Sequence, residues 1–288
     1  MNTSDALFEA RRPAMTGLAY RMLGSRADAE DVVQDAWLRW RKVETEAVGD
    51  GAAFLNRVVA RLCLDRLKSA RARREVYVGE WLPEPVVDED FDAAPGELDA
   101  DLSVAFLLAL ERLTPLERAA FLLHDVFDTP FAEVARTLGR GEAACRQLAA
   151  RARLHVRAER PRYRPSVDEE RSLTAAFLLA AMTGDAVSLR NLLAPDVVWH
   201  ADGGGKVAAV LNPVHGLDNA VRLILGIRKK WPPPEGTSAR LARINGQPGI
   251  VVSHAGAVFQ TMGLELVEGR IAAVYTIRNP DKLARLNA

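Results

Sequence analysis

Arginine and glutamine side chains stand in the middle of the chain with a spacing suited to nucleic-acid contact. Arg146 and Gln147 open an amphipathic stretch, and Arg151 and Arg153 follow on its polar side. Arg and Gln can make paired hydrogen bonds to base edges in a major groove, whereas the later arginines suit phosphate oxygens. The chemistry that these residues predict is therefore recognition of a duplex.

Two apolar patterns separated by a glycine must position these side chains. Residues 131–138 are apolar at positions i, i+3, i+4 and i+7, and Gly139 ends that pattern. The second pattern turns Cys145, Leu148, Ala149 and Ala152 inward. Together they predict a helix-turn-helix, and the alternative is a helical hairpin with a solvated basic face.

A glycine-rich loop, Asp202-Gly203-Gly204-Gly205-Lys206, invites comparison with phosphate-binding loops. A Walker loop would need glycine at position 200 and Ser or Thr at 207, where this chain has His200 and Val207. Consecutive glycines also allow a sharp turn or the close approach of another segment. We therefore expect a contact loop here.

Acid/base side chains in the same part of the chain raise the possibility of an enzyme. His200, Asp202, His254 and Tyr275 could transfer protons, but isolated histidines in strands are more often structural. Cys63 and Cys145 lie far apart on apolar faces, which indicates neither a disulfide nor a metal site. We expect no catalytic residues, no cofactor and no metal.

The N-terminal part, residues 5–78, combines an acidic helix with a basic one. Ser25-x-x-Asp28 predicts the start of a helix over 27–41 whose side carries Asp31 and Asp35. A glycine loop precedes a second predicted helix, 53–74, in which seven basic residues accompany one acid from Arg57 onward.

Residues 79–103 contain nine acidic and no basic side chains. We call them the acidic segment. Its prolines and lack of periodicity predict a linker, 79–101, that cannot fold alone. Trp81-Leu82-Pro83-Glu84-Pro85 is an apolar exception and predicts a docking peptide.

The total charge excludes no class of partner, because Lys plus Arg and Asp plus Glu both number 38. The length of 288 residues suggests two or three compact units. Without a signal-peptide pattern or an apolar run of membrane-spanning length, we expect a soluble, cytoplasmic protein with no membrane partner.

The C-terminal part, about residues 167–288, mixes helical and strand patterns. Helices are predicted around 173–180 and 217–231, and strands over 197–201, 239–244, 249–254, 258–267 and 270–277. This order predicts an α+β fold with helices on one face of an antiparallel sheet. Asn279 and Pro280 predict the start of a final short helix.

The order of these parts resembles that of the extracytoplasmic-function (ECF) RNA polymerase σ factors. An acidic helix, a basic helix, an acidic linker and a helix-turn-helix match σ region 2 and σ region 4 (102–160). The three pentapeptides at 81–85, 202–206 and 279–283 are similar to those of the SigJ-like subgroup with a C-terminal SnoaL-like domain (167–288). The resemblance implies a multidomain protein, all-α at first and then an α+β cone-shaped domain.

The resemblance also implies partners and site residues. Core RNA polymerase, promoter DNA and the chain's own regulatory domain are the implied partners, with a small-molecule ligand as a further possibility. For the −35 element the residues are Arg140, Arg146, Gln147, Arg151 and Arg153. For the −10 element they are Asn56, Arg57, Arg61 and Lys68, with residues 43–56 placed to capture a flipped base. For polymerase they are Asp28, Asp31, Gln34 and Asp35. The regulatory contacts are Trp81, Leu82, Pro83, Glu84, Pro85, Asp202, Gly203, Gly204, Gly205, Lys206, Asn279, Pro280, Asp281, Lys282 and Leu283.

One departure and two rival hypotheses remain. Arg140-Gly141 stands where most members have an aliphatic residue, so the general −35 preference is not assumed. The first rival is a one-component helix-turn-helix regulator with a small-molecule-sensing domain, against which region 2 argues. The second is a polyketide-cyclase-like enzyme fused to a DNA-binding segment.

Overall fold

The computed structural model describes residues 3–43, 49–75, 77–92, 102–156 and 165–287. The chain divides into two compact units, and each contains two stretches of sequence. Unit 1 is Met1–Val76 with Ala105–Arg160, and unit 2 is Tyr77–Val104 with Pro161–Ala288. The acidic segment, residues 79–103, therefore belongs to the same unit as the C-terminal part of the chain.

Unit 1 is helical throughout its described residues. Its helices are α1 (Thr3–Leu23), α2 (Arg26–Trp40), α3 (Gly51–Glu75), α4 (Val104–Glu111), α5 (Pro115–Phe121), α6 (Phe131–Leu138) and α7 (Glu142–Val156), with a π-helical turn at Leu122–Val126. Ser25 caps α2 through the amide of Asp28, as the sequence predicts. Gly139 ends α6 in the left-handed conformation, with φ of 63°, so α7 can begin three residues later.

Buried apolar side chains from several helices form the core of unit 1. Phe8 and Met15 of α1, Trp40 of α2 and Leu55 of α3 are almost fully buried, and α1 packs against both other helices. Cys145 on the inner side of α7 is fully buried. The apolar faces that the sequence patterns predict are therefore the buried faces of these helices.

Unit 2 contains one mixed sheet. Its elements are β1 (Val87–Asp88), α8 (Val167–Thr183), α9 (Ala186–Leu192), β2 (Leu193–Asp202), β3 (Val214–His215), α10 (Leu217–Lys230), β4 (Thr237–Ile244), β5 (Gln247–His254), β6 (Ala257–Val267), β7 (Arg270–Ile277), α11 (Pro280–Leu283) and a 3-10 turn, Ala284–Asn287. The strand order is β1-β4-β5-β6-β7-β2-β3. The α+β fold predicted from sequence is confirmed, and the three helices α8–α10 cover one face around Phe177, Trp199 and Leu264.

One strand of the sheet lies outside the predicted antiparallel meander and pairs with it in parallel. β4 to β7 form the predicted antiparallel meander, but β2 pairs with β7 in parallel, Trp199 lying opposite Val274. The chain leaves β2 through β3 and α10 and reaches the meander at its far side. The meander then returns to β2 with β7 running in the same direction.

The described part of the acidic segment, together with Tyr77 and Val78 before it, is ordered by packing on unit 2. β1 pairs antiparallel with β4, and the Asn245 amide donates to the Val86 carbonyl at 2.7 Å. Phe91 is buried beneath the guanidinium groups of Arg171 and Arg243, 4.9 and 5.3 Å from its ring centre. The segment thus finds on another element the apolar contacts that its own composition lacks.

Within the described residues, no helix combines the length and the apolar character needed to cross a bilayer.

A buried arginine supports the helical unit and generates a first prediction. Arg118 is 3% exposed, donates to the Met22 carbonyl and pairs with Glu111 at 2.7 Å, and burial lowers its pKa to about 10. Arg118→Met removes the cation that faces Glu111, so we expect a loss of roughly 3–5 kcal/mol in the stability of this unit. Native-state hydrogen exchange in α1 and α5 measures it. The control Arg112→Met, at an exposed position, is expected to stay within about 0.5 kcal/mol, and equal effects would contradict the prediction.

Candidate functional site

The residues predicted to read base edges lie on the exposed side of α7. Arg146 and Gln147 are exposed in its first two turns, and Arg140 is exposed in the preceding turn. The Arg146 guanidinium pairs with Glu142 at 3.0 Å and lies 5.1 Å from the ring centre of Phe131. Both contacts are at the surface, so Arg146 is accessible to an outside partner.

The two arginines further along α7 differ in their surroundings. Arg151 is exposed and lies 3.7 Å from Glu117, a distance that leaves it able to bind phosphate. Arg153 is bound more closely, with its Nε 2.6 Å from Asp125 in the π-helical turn. Arg153 therefore connects α7 to the π-helical turn that precedes α6.

Two basic residues of α3 are engaged by α6. Arg57 pairs with Glu133 at 3.2 Å. Arg61 donates to the carbonyls of Arg136 and Thr137 at 2.9 and 3.1 Å, where the last turn of α6 leaves its acceptors unsatisfied. We call these contacts the α3–α6 clamp.

The other two residues predicted for the −10 element also lie on α3, and Asn56 directly precedes Arg57 of the clamp. Lys68 is exposed and pairs with Asp65 at 2.8 Å, and Asn56 is half-buried on α3. Residues 44–48, within the segment 43–56 expected to capture a base, lie outside the described residues.

The acidic side of α2 is organised by a cation that sequence reasoning missed. Arg66 of α3 lies 3.2, 3.3 and 3.5 Å from carboxylate oxygens of Asp28, Asp31 and Asp35. Gln34 is exposed beside them. Only the packing of α3 on α2 brings Arg66 to this place, and the spacing along either helix gives no signal of it.

The three pentapeptides meet around one buried carboxylate. Asp202, at the end of β2, is fully buried. It accepts hydrogen bonds from the Tyr77 hydroxyl at 2.6 Å, the Leu82 amide at 2.9 Å and the Gly204 amide at 2.9 Å, and it pairs with Lys282 Nζ at 2.6 Å. We call these five residues the Asp202 cluster.

Lys282 connects the C-terminal helix to the acidic segment. Its Nζ donates to the Leu82 carbonyl and lies 4.3 Å from the Trp81 ring centre and 5.2 Å from that of Tyr77. Leu82 is fully buried, so both its side chain and its carbonyl are held in place. Cations over aromatic faces are worth more when desolvated, as here.

Tyr77 joins the cluster to the start of α11. Asn279 caps α11 through the Asp281 amide and donates from Nδ2 to the Tyr77 hydroxyl at 2.7 Å. Burial and the neighbouring Asp202 carboxylate raise the pKa of Tyr77 well above its usual range. The neutral phenol is thereby kept as a donor to Asp202.

The glycine loop is glycine-rich because other segments pass so close to it. Gly204 and Gly205 have φ of 62° and 69°. A Cβ on Gly204 would lie 2.4 Å from the Asn279 side chain, and one on Gly205 would lie 2.9 Å from Val78. Lys206 ends the loop in an exposed pair with Asp281 at 2.6 Å.

The acid/base candidates do not form a common pocket. His200 contacts Glu80 at 2.7 Å and stacks on Tyr275 at 5.0 Å, while Tyr275 donates to Glu265. His254 is exposed at the end of β5. On the face of the sheet that the helices cover, the buried side chains form an apolar core. Among the described residues no group of His, Cys, Asp and Glu could hold a metal ion.

Comparison with known proteins agrees with this architecture. The Sigma-70 region 2 family matches residues 7–73, and the Sigma-70 region 4 family matches residues 103–156. The ECF RNA polymerase sigma factor SigJ of Mycobacterium tuberculosis is 42% identical over 286 residues, 96% of this chain and 91% of its own. The chain belongs to the ECF σ factor family.

Further comparisons support the same family over most of the chain. The M. tuberculosis ECF σ factor SigG is 29% identical over 92% of this chain and 78% of its own. The crystal structure of M. tuberculosis SigJ aligns with a TM-score of 0.78 and 37% identity, over 97% of this chain and 98% of that one. This ECF σ factor thus acts with core RNA polymerase and promoter DNA in transcription initiation and is not an enzyme. The alignment with SigJ extends through the C-terminal α+β domain, which is therefore part of the shared architecture.

The Asp202 cluster generates a second prediction. Asp202→Asn removes the ion pair with the nearly buried Lys282 and turns an acceptor into a partial donor. We expect the docking of residues 77–92 to weaken by roughly 3–5 kcal/mol. Faster hydrogen exchange of the Leu82 and Asn245 amides, with unchanged exchange in β6, measures it.

Lys206→Ala is the matched control, because it breaks an ion pair of the same loop whose side chains are 53% and 64% exposed. Exposed pairs contribute about 0–1 kcal/mol. Equal exchange rates in the two variants would show that burial of Asp202 does not hold the segment.

Proposed function

We propose that this ECF σ factor is regulated by its own C-terminal domain, which withholds the acidic segment from core polymerase. The observation that carries the proposal is the fully buried Asp202 carboxylate, bound to the Leu82 amide and to Lys282. The family resemblance implies that the acidic linker threads a basic channel of polymerase. A segment held by the Asp202 cluster is unavailable for that path.

The charges of the segment support the same proposal. Glu80 contacts His200, Glu89 pairs with Arg240 at 2.8 Å, and Asp92 pairs with Arg171 at 2.5 Å. The C-terminal domain thus offers its own cations to carboxylates that a basic channel would otherwise bind. Domain and polymerase compete for one acidic peptide.

The same competition applies to DNA. We propose that Arg57 and Arg61 bind the backbone of the −10 element, with Asn56 and Lys68 beside them, once the α3–α6 clamp opens. Arg146 and Gln147 read base edges of the −35 element, while Arg140, Arg151 and Arg153 contact its phosphates. Asp28, Asp31, Gln34 and Asp35 face the polymerase, and this activity takes place in the cytoplasm.

The base-reading role gives a third prediction. Arg146→Ala removes a side chain that can bond a base edge, so discrimination should relax at one −35 position at a cost of roughly 1–3 kcal/mol. Arg151→Ala, the phosphate control, should weaken all promoters alike. Binding of the holoenzyme to a panel of single-base promoter variants measures both. An Arg146→Ala protein with full −35 discrimination would contradict the assignment.

Run-off transcription with limiting core polymerase tests the regulatory proposal and gives a fourth prediction. Lys282→Met keeps an aliphatic side chain but loses the ion pair with Asp202. We expect it to release the segment and raise run-off activity at least about fivefold, a shift of roughly 1 kcal/mol in the docking equilibrium. Deletion of 279–288 should act in the same direction.

The Lys206→Ala variant serves again as control and should behave like the unaltered chain. Unchanged or lower activity of Lys282→Met, with the protein folded, would overturn the inhibitory role. Run-off by the unaltered chain and by residues 1–165 reports σ activity separately from its regulation.

A further inference from the structure

The C-terminal end of α10 opens an uninterrupted exposed stretch. All residues from 226 to 236 are exposed, and they include three cations against one acid, Glu235. Trp231 is 56% exposed, and Lys230 Nζ lies 4.5 Å from its ring centre. We call Arg228, Lys229, Lys230 and Trp231 the basic tip.

The cations of the basic tip are not neutralised by the domain itself. Within the described ranges, none of the three forms an ion pair with a carboxylate. Elsewhere on this surface, Arg190 pairs with Asp218 at 2.6 Å and Arg222 donates to Asn219 at 2.6 Å. A helix C-terminus carries only about half a negative charge, so the basic tip has positive charge beyond what the helix needs.

The basic tip borders a depression, and neighbouring residues restrict its conformation. It borders a surface depression of about 530 Å³, lined by Thr183, Gly184, Leu225, Arg228, Lys229, Pro232 and Pro233. Gly184, with φ of 77°, lies so close to Arg228 that a Cβ there would be 3.1 Å from Nε. The three prolines at 232–234 fix their own φ angles, which stiffens the loop after Trp231.

We propose that the basic tip binds the phosphate backbone of duplex DNA flanking the promoter element that the helix-turn-helix contacts. The complementarity is one of charge: ammonium and guanidinium groups neutralise phosphates and release counterions. The exposed indole can donate its N–H to a phosphate or sugar oxygen. Such contacts position the domain on DNA without reading sequence.

The covalent chain makes this contact reachable. Residues 157–166 separate α7 from α8, and a chain of that length spans at most about 40 Å. Helix α8 adds about 25 Å, and its C-cap, Gly184, lies at the basic tip. In any orientation of the two units the basic tip stays within about 65 Å of the end of α7, roughly 19 base pairs of duplex.

Binding of holoenzyme, made with the full chain, to two promoter fragments tests the proposal. One fragment ends about 5 base pairs beyond the −35 element, and the other extends about 30 base pairs beyond it. On the long fragment, Lys229→Gln/Lys230→Gln should lower affinity roughly 3–10-fold and flatten the slope of log K against log salt by about 2. On the short fragment it should match the unaltered chain.

Arg190→Gln/Arg222→Gln is the matched control, because it removes the same charge from the same surface. It should leave both fragments unaffected. Equal losses on both fragments, or weaker binding to core polymerase without DNA, would overturn the proposal in favour of a protein partner. Unchanged affinity of the double variant for the long fragment would overturn the proposal as well. In that case, normal run-off transcription from the short fragment would show that σ activity is intact.

Discussion

A carboxylate with no access to water is the constraint on which the C-terminal part of this σ factor depends. Burying an ionised Asp is costly unless charge and hydrogen bonds compensate it. Asp202 gains both, but its donors come from separate stretches of chain: the acidic segment with Tyr77 before it, the glycine loop and α11. Each stretch is therefore needed for the others to be stable in place.

The acidic segment depends on contacts with other parts of the protein for its ordered structure. Its composition gives it no core, so it takes an ordered form only where a surface supplies apolar and cationic partners. Leu82 and Phe91 fill such places on unit 2, and β1 adds to the edge of β4. Under the proposed regulation, the segment gives up these contacts for a competing basic surface, because most of its ion pairs are exposed and weak. The Asp202 cluster is the exception, because its carboxylate is fully buried and paired with Lys282.

The sequence predicts those features of the fold and the site that depend on residues close together in the chain. Helix periods, the Gly139 turn and the Asn279 cap are local, and the sequence predicts them well. The parallel pairing of β2 with β7 was missed, since no local pattern distinguishes a parallel strand from an antiparallel one. Arg66 beneath the acidic side of α2 and Tyr77 beside Asp202 were missed for the same reason: their partners are distant in sequence.

In both units, side chains that the proposed function assigns to outside partners are bound by other residues of the same unit. In unit 1 the clamp gives Arg57 and Arg61 a carboxylate and two carbonyls in place of phosphates. In unit 2 basic side chains occupy carboxylates of the acidic segment. The internal partners are few and partly solvated, so each contact is weak beside a polyanion or an extended basic channel. Under the regulation proposed above, such a protein stays closed alone and opens when polymerase and promoter supply stronger partners for the same charges.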